Sequence, residues 1–109
     1  IPDSISIYDI NGPMFFGAAQ NALKTLLNAN EDTDVVILNM QNVNMIDMMG
    51  IVALKSIVNN FENNDKKLIF SGLNERILKK LEKADFNLNK KNLTSFSNIE
   101  EAIIYSKKT

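Results

Sequence analysis

The sequence predicts an α/β domain: a largely parallel sheet of four to five strands with about four helices packed on it. Three observations carry that prediction. Strand-like and helix-like segments alternate along the chain, the pattern of βαβ units. The run from Val35 to Met40 is nearly all apolar, as expected of a central strand covered on both faces. The chain of 109 residues supplies one modest core, and its 45% hydrophobic and 23% charged residues are those of an ordinary globular domain.

Taken in order, Ser4 to Ile10 alternates polar and apolar residues with period two, which predicts a half-buried first strand. Asn11-Gly12-Pro13 is a turn signal. Met14-Phe15-Phe16 predicts a short second strand feeding a helix from Gly17 to about Ala29, with Ala19, Leu23, Leu26 and Leu27 on one face. A polar loop, Asn30 to Asp34, leads into the apolar strand. The next helix starts at Asp47, carries an apolar stripe of Ile51, Leu54, Ile57, Val58 and Phe61, and ends at Asn63-Asn64-Asp65. Lys67 to Ser71 is a further strand, with Gly72 at the turn after it. Asn74 caps a helix reaching about Ala84, with Ile77, Leu78 and Leu81 facing inward. Leu93 to Phe96 reads as a short edge strand. Ser97 and Glu100 have the S-x-x-E spacing of a capping box, opening a last helix that buries Ile99, Ala102 and Ile103.

Composition narrows the chemistry. The chain has neither cysteine nor histidine, which removes disulfides, thiolate and Ser-His-Asp catalysis, and the commonest transition-metal ligand. Carboxylate or lysine chemistry stays open, but no nucleophile–base pair, metal cluster or phosphate-cradling glycine loop is visible among four glycines. The expectation is a protein that is not an enzyme, with no catalytic residue, metal or cofactor. The longest apolar runs fall far short of the roughly 18–20 residues of a membrane-spanning helix. The chain opens Ile1-Pro2 without an initiator methionine, so residues 1–109 are expected to be one domain cut from a longer protein.

The net charge of −1 hides an asymmetry: residues 1–65 carry −6 and residues 66–109 carry +5. Either a basic face awaits an anionic partner, or the charges neutralise across the surface of one domain. Arg76, Lys79, Lys80 and Lys83 stand at i, i+3, i+4 and i+7, one stripe of a helix. That stripe is a solvated face, or a contact for anionic lipid or a transport domain.

The segment from Asn39 to Gly50 links a buried strand to a helix, where open α/β sheets place their sites. As N-cap, Asp47 accepts from the backbone N–H of Met49 or Gly50. The helix start is then a seat for an anion, or a well-capped terminus and nothing more. Asp34 to Asn39 has a superficial likeness to the phosphoacceptor strand of a response-regulator receiver. Asn39 would hold the acceptor position, where a carboxamide cannot take a phosphoryl group, and Asp9 lacks an adjacent acidic partner for magnesium.

A better match covers nearly the whole chain. Ile10-Asn11-Gly12-Pro13-Met14-Phe15-Phe16-Gly17-Ala18-Ala19 closely resembles the G-P-L-F-F-G-A segment of the STAS domain in SulP-family anion permeases. Val35 to Gly50 resembles the next strand and D-S-[ST]-G turn of that family. Phe70-Ser71-Gly72-Leu73 and Phe96 to Ala102 resemble its closing segments. Stand-alone members, the anti-sigma-factor antagonists, usually have a polar G-x-x-D/N-type sequence in place of the phenylalanine pair.

The resemblance implies a STAS-like fold and a non-catalytic regulatory domain at the C-terminus of a sulfate-transporter-like permease. It implies a place on the cytoplasmic side of the bacterial inner membrane. The partners implied are the permease's transmembrane domain and another cytoplasmic protein or a second STAS domain, with no nucleic acid. The alternative is a stand-alone antagonist-like regulator. The family's phosphoacceptor turn falls at Asp47, Met48, Met49 and Gly50, with Met49 at the acceptor position. A thioether has no hydroxyl to phosphorylate, so that switch cannot operate here, and two methionines occupy a turn the family exposes to partners. Nucleotide binding, suggested for the family, finds support here only in the helix start at Asp47.

Overall fold

The computed structural model describes residues 5–13, 21, 24–25, 34–86, 89–90 and 93–107. Strands β1 (Ile5–Asn11), β2 (Val35–Asn42), β3 (Lys67–Ser71), β4 (Asn89–Lys90) and β5 (Leu93–Phe96) form one sheet in the order β1-β2-β3-β5-β4. All pair in parallel except β4, which runs antiparallel to β5. Helices α1 (Met48–Asn63), α2 (Glu75–Lys83) and α3 (Ile99–Lys107) complete the described elements. The α/β class with a largely parallel sheet is as the sequence predicts. Asn21, Lys24 and Thr25 are also helical. The rest of the helix expected over Gly17 to Ala29, and the strand expected at Met14-Phe15-Phe16, lie outside the described residues.

The pleat sends alternate residues of β2 to opposite faces of the sheet. Val36, Leu38 and Met40 pack with Leu68 and Phe70, under Leu54, Ile57 and Phe61 of α1 and Ile77 and Leu81 of α2. On the other face, Val35 and Ile37 join Ile5, Ile69 and Ala102 of α3. Helices on both faces are why β2 reads as a continuous apolar run. The predicted stripe Ile51, Leu54, Ile57, Val58 and Phe61 is buried throughout.

Helices α1 and α2 end alike. The N–H of Lys66 donates to Phe61 O and that of Asp65 to Glu62 O; the N–H of Phe86 donates to Leu81 O and that of Asp85 to Glu82 O. Asp65 and Asp85 take the left-handed position of this hydrogen-bonding pattern, with φ of 54° and 65°.

Toward the C-terminal ends of the strands the α3 face turns polar. Asp9, Asn39 and Ser71 stand side by side in register on β1, β2 and β3. Asn39 Nδ2 donates to Asp9 Oδ1 at 2.9 Å, and Ser71 Oγ donates to Asn39 Oδ1 at 3.3 Å. Ser71 is fully buried, so its hydroxyl depends on that acceptor.

Four expectations are corrected. β5 is not an edge strand, because β4 pairs with it through Asn89↔Thr94 and Lys90↔Leu93; two residues are too few to show a strand periodicity. The last helix is capped one residue later than the Ser97–Glu100 spacing predicts. Asn98 Oδ1 accepts from Glu101 N at 2.9 Å, and Asn98 Nδ2 donates to Glu101 Oε1 at 3.2 Å. Of its expected core residues Ala102 is buried, while Ile99 and Ile103 are half-buried; Ser106 is buried and donates to Ile103 O at 2.7 Å. β1 is not apolar on one face only: Ile5 and Ile10 are buried in opposite layers, five residues apart with a register shift between Asp9 and Asn11.

Candidate functional site

The loop from β2 to α1 is built from the helix start outward. Asp47 has extended backbone, and its Oδ1 accepts from Gly50 N at 2.8 Å, so Gly50 is the donor of the two expected. Ile46, Gly50 and Ile51 are buried and anchor the turn to the core. With those side chains inward, their neighbours face out. Met45 is 47% exposed, Met48 68%, Met49 45% and Val52 47%. Four large apolar side chains thus surround one helix start, with the turn Asp47, Met48, Met49 and Gly50 at its centre.

Helix α2 lies against this loop and holds it at two points. Asn74 Oδ1 accepts from Ile77 N at 2.8 Å as the predicted cap, and its Nδ2 also donates to Val43 O at 3.3 Å. Two turns on, Lys80 Nζ donates to Ile46 O at 2.9 Å. All four residues of the basic stripe are exposed, and one of its ammonium groups is tied to the turn.

The two sets of candidate residues, separate in sequence, meet here. Lys80 and Lys83 line a cleft of about 280 Å³ with Ile46, Asp47, Met48, Ile51 and Ala84. Arg76 and Lys79 line a second cleft of about 490 Å³ with Asn44, Asn74 and Glu75. Met45 and Val52 are additions to the predicted set. Their signal was present: Met45 belongs to the same methionine-rich run, and Val52 lies off the apolar stripe of α1, three and four residues after the methionine pair. The hold of Lys80 on Ile46 carries no sequence signal.

Among the described residues, no group of three acidic side chains is placed to hold a metal, and no helix is long and apolar enough to cross a membrane. The surface here is apolar area bordered by the ammonium groups of Lys80 and Lys83.

Fold and surface together define a parallel-sheet α/β domain with an exposed apolar turn beside a cationic helix. The chain belongs to the STAS domain family, whose model matches residues 1–102. It is similar to a sulfate transporter family protein from Wolinella succinogenes, at 35% identity and a TM-score of 0.86, covering 99% of this chain and 88% of that one. It is also similar to the STAS domain of a SulP transporter from Vibrio cholerae, at 26% identity and a TM-score of 0.81, covering 99% and 84%. The anti-sigma factor antagonist SpoIIAA in its unphosphorylated form shares the fold at 13% identity and a TM-score of 0.76, covering 99% and 93%. No curated protein matches the chain by sequence.

Proposed function

We propose that this chain is the regulatory, non-catalytic STAS domain of a SulP-type sulfate or anion permease, placed on the cytoplasmic side of a bacterial inner membrane. The observation that carries the reading is the 35% identity, over 99% of the chain, with a sulfate transporter family protein. The 26% identity with a SulP transporter's STAS domain supports it. The stand-alone antagonist reading rests on the shared fold alone, and Met49 removes the hydroxyl on which its switch depends.

In the proposed role the Asp47–Gly50 turn and the neighbouring Lys80 and Lys83 meet the permease's own transmembrane domain, a second STAS domain or another cytoplasmic protein. Exposed methionine suits such a surface, because its unbranched thioether adapts to an irregular partner. The test uses the full-length protein with sulfate as probe anion. Met48→Ser combined with Met49→Ser should leave the domain's stability within about 1 kcal/mol, as expected of exposed positions. The same change should lower uptake. Normal melting with normal uptake would take the contact role away from the turn. A full-length protein that moves neither sulfate nor any other inorganic anion would overturn the permease reading.

A further inference from the structure

Three exposed methionines fall within five residues, at Met45, Met48 and Met49. The chain has no cysteine or tryptophan to compete with them for an oxidant. Met40, by contrast, is fully buried in the layer beneath α1 and α2. One chain thus contains an exposed thioether cluster and a sealed thioether as its reference.

We propose that Met45, Met48 and Met49 form a reversible oxidation site, at which peroxide turns the apolar patch polar while the fold stays intact. In the step, the sulfur lone pair attacks one oxygen of hydrogen peroxide. The S–O bond forms as the O–O bond breaks, and the attacked oxygen's proton passes to the departing oxygen, which leaves as water. Sulfur is oxidised by two electrons and the peroxide is reduced. The sulfoxide is polar where the thioether was apolar. Among the described residues, the side-chain hydrogen bonds that hold the turn come from Asp47, Asn74 and Lys80, and none from these methionines. The Asp47 cap on Gly50 and the buried Ile46 and Ile51 hold the backbone, so oxidation changes the surface without opening the core. Regulation by this chemistry rests on the contact role proposed above: an oxidised patch releases an apolar partner, and reduction restores it.

Two measurements test this. The folded chain is treated with graded hydrogen peroxide and the added oxygen is mapped by peptide mass spectrometry. Met45, Met48 and Met49 should gain oxygen at least about tenfold faster than Met40, whose oxidation requires opening of the core. Retention on a hydrophobic-interaction column should fall, thermal melting should hold, and a methionine sulfoxide reductase with a thiol reductant should reverse the change. Met40 oxidising as fast as the cluster, or melting that collapses as the cluster oxidises, would overturn the site.

The second measurement is sulfate uptake by the full-length protein before and after peroxide. Uptake should fall with the native methionines. With Met45→Leu, Met48→Leu and Met49→Leu it should show no further fall, whatever its starting level. Uptake lost in the Met48→Ser, Met49→Ser variant but indifferent to peroxide would sink the switch and leave the contact role standing. Uptake indifferent to both would sink the contact role, and the regulation with it.

Discussion

Gly72 follows β3 with φ of +74°, and a Cβ built on it would lie 2.9 Å from Gln41 Cα on the adjacent strand. Two costs therefore coincide at this residue: a backbone conformation that disfavours side chains, and a neighbouring main chain that cannot rotate away. Gly72→Ala should destabilise by about 2–4 kcal/mol in denaturant melts; a loss near zero would mean the two strand ends separate freely. Leu54, fully buried on α1, should lose about 2–5 kcal/mol on change to Ala. If the loss fell below about 0.5 kcal/mol, well under the usual core range, this face of the helix would not be the packed one. The sequence marks both residues, but unequally. Spacing alone puts Leu54 in the core. Gly72 is legible as a turn and not as a close approach, because Gln41 lies far away along the chain and only the pairing of β2 with β3 brings it near.

At the scale of the element, helix ends show what local chemistry determines and where it leaves a choice. Asp47 and Asn74 act as caps because an acceptor side chain precedes each apolar stripe, and both are legible. Ser97 and Asn98 are each followed three residues later by glutamate, so two capping boxes compete one residue apart. Ala102 must land against the sheet, and that packing selects Asn98. Asp85 bears the strain of a left-handed residue at the end of α2, a position glycine fills without it. Asp85→Gly should raise stability by about 0.5–1 kcal/mol, and a lower melting temperature would show that the carboxylate contributes more than its backbone costs. Lys80→Met keeps the aliphatic stem and removes the bond to Ile46 O. It should cost about 1 kcal/mol and speed amide exchange over residues 43–47. Unchanged exchange would mean that Asn74 alone positions the loop.

Across the whole molecule, the charge asymmetry of the sequence does not survive as two separate halves. β3, from the basic half, pairs with β2 from the acidic half, and Lys80 and Lys83 share a cleft with Asp47. The basic stripe and the methionine turn, more than twenty-five residues apart, become one surface only through this topology. No local pattern could announce it. That Met48 and Met49 offer no hydroxyl is plain from the sequence, and it yields a prediction for the domain. Incubated with ATP and a kinase directed at STAS domains, the chain should carry no phosphate between Asp47 and Gly50 by mass spectrometry. Phosphate there would contradict the chemistry of a thioether, whereas phosphate on the exposed Ser97 would reveal a different switch.

Parallel strands joined by long crossovers have no tight turn to fix how they line up, so the side chains must supply the alignment. The row of Asp9, Asn39 and Ser71 serves that end. Displacing β2 by a single residue would swing the Asn39 amide into the oily layer of Leu38 and Phe70 and leave the Ser71 hydroxyl buried with nothing to bond. Asn39→Ala should then cost about 1–3 kcal/mol, much of it from that stranded hydroxyl. It should also broaden the amide resonances of β1, β2 and β3 as alternative alignments become populated. The three polar groups act as a key cut beside the apolar centre of the sheet, excluding off-by-one assembly of strands whose valines, isoleucines and leucines would tolerate it.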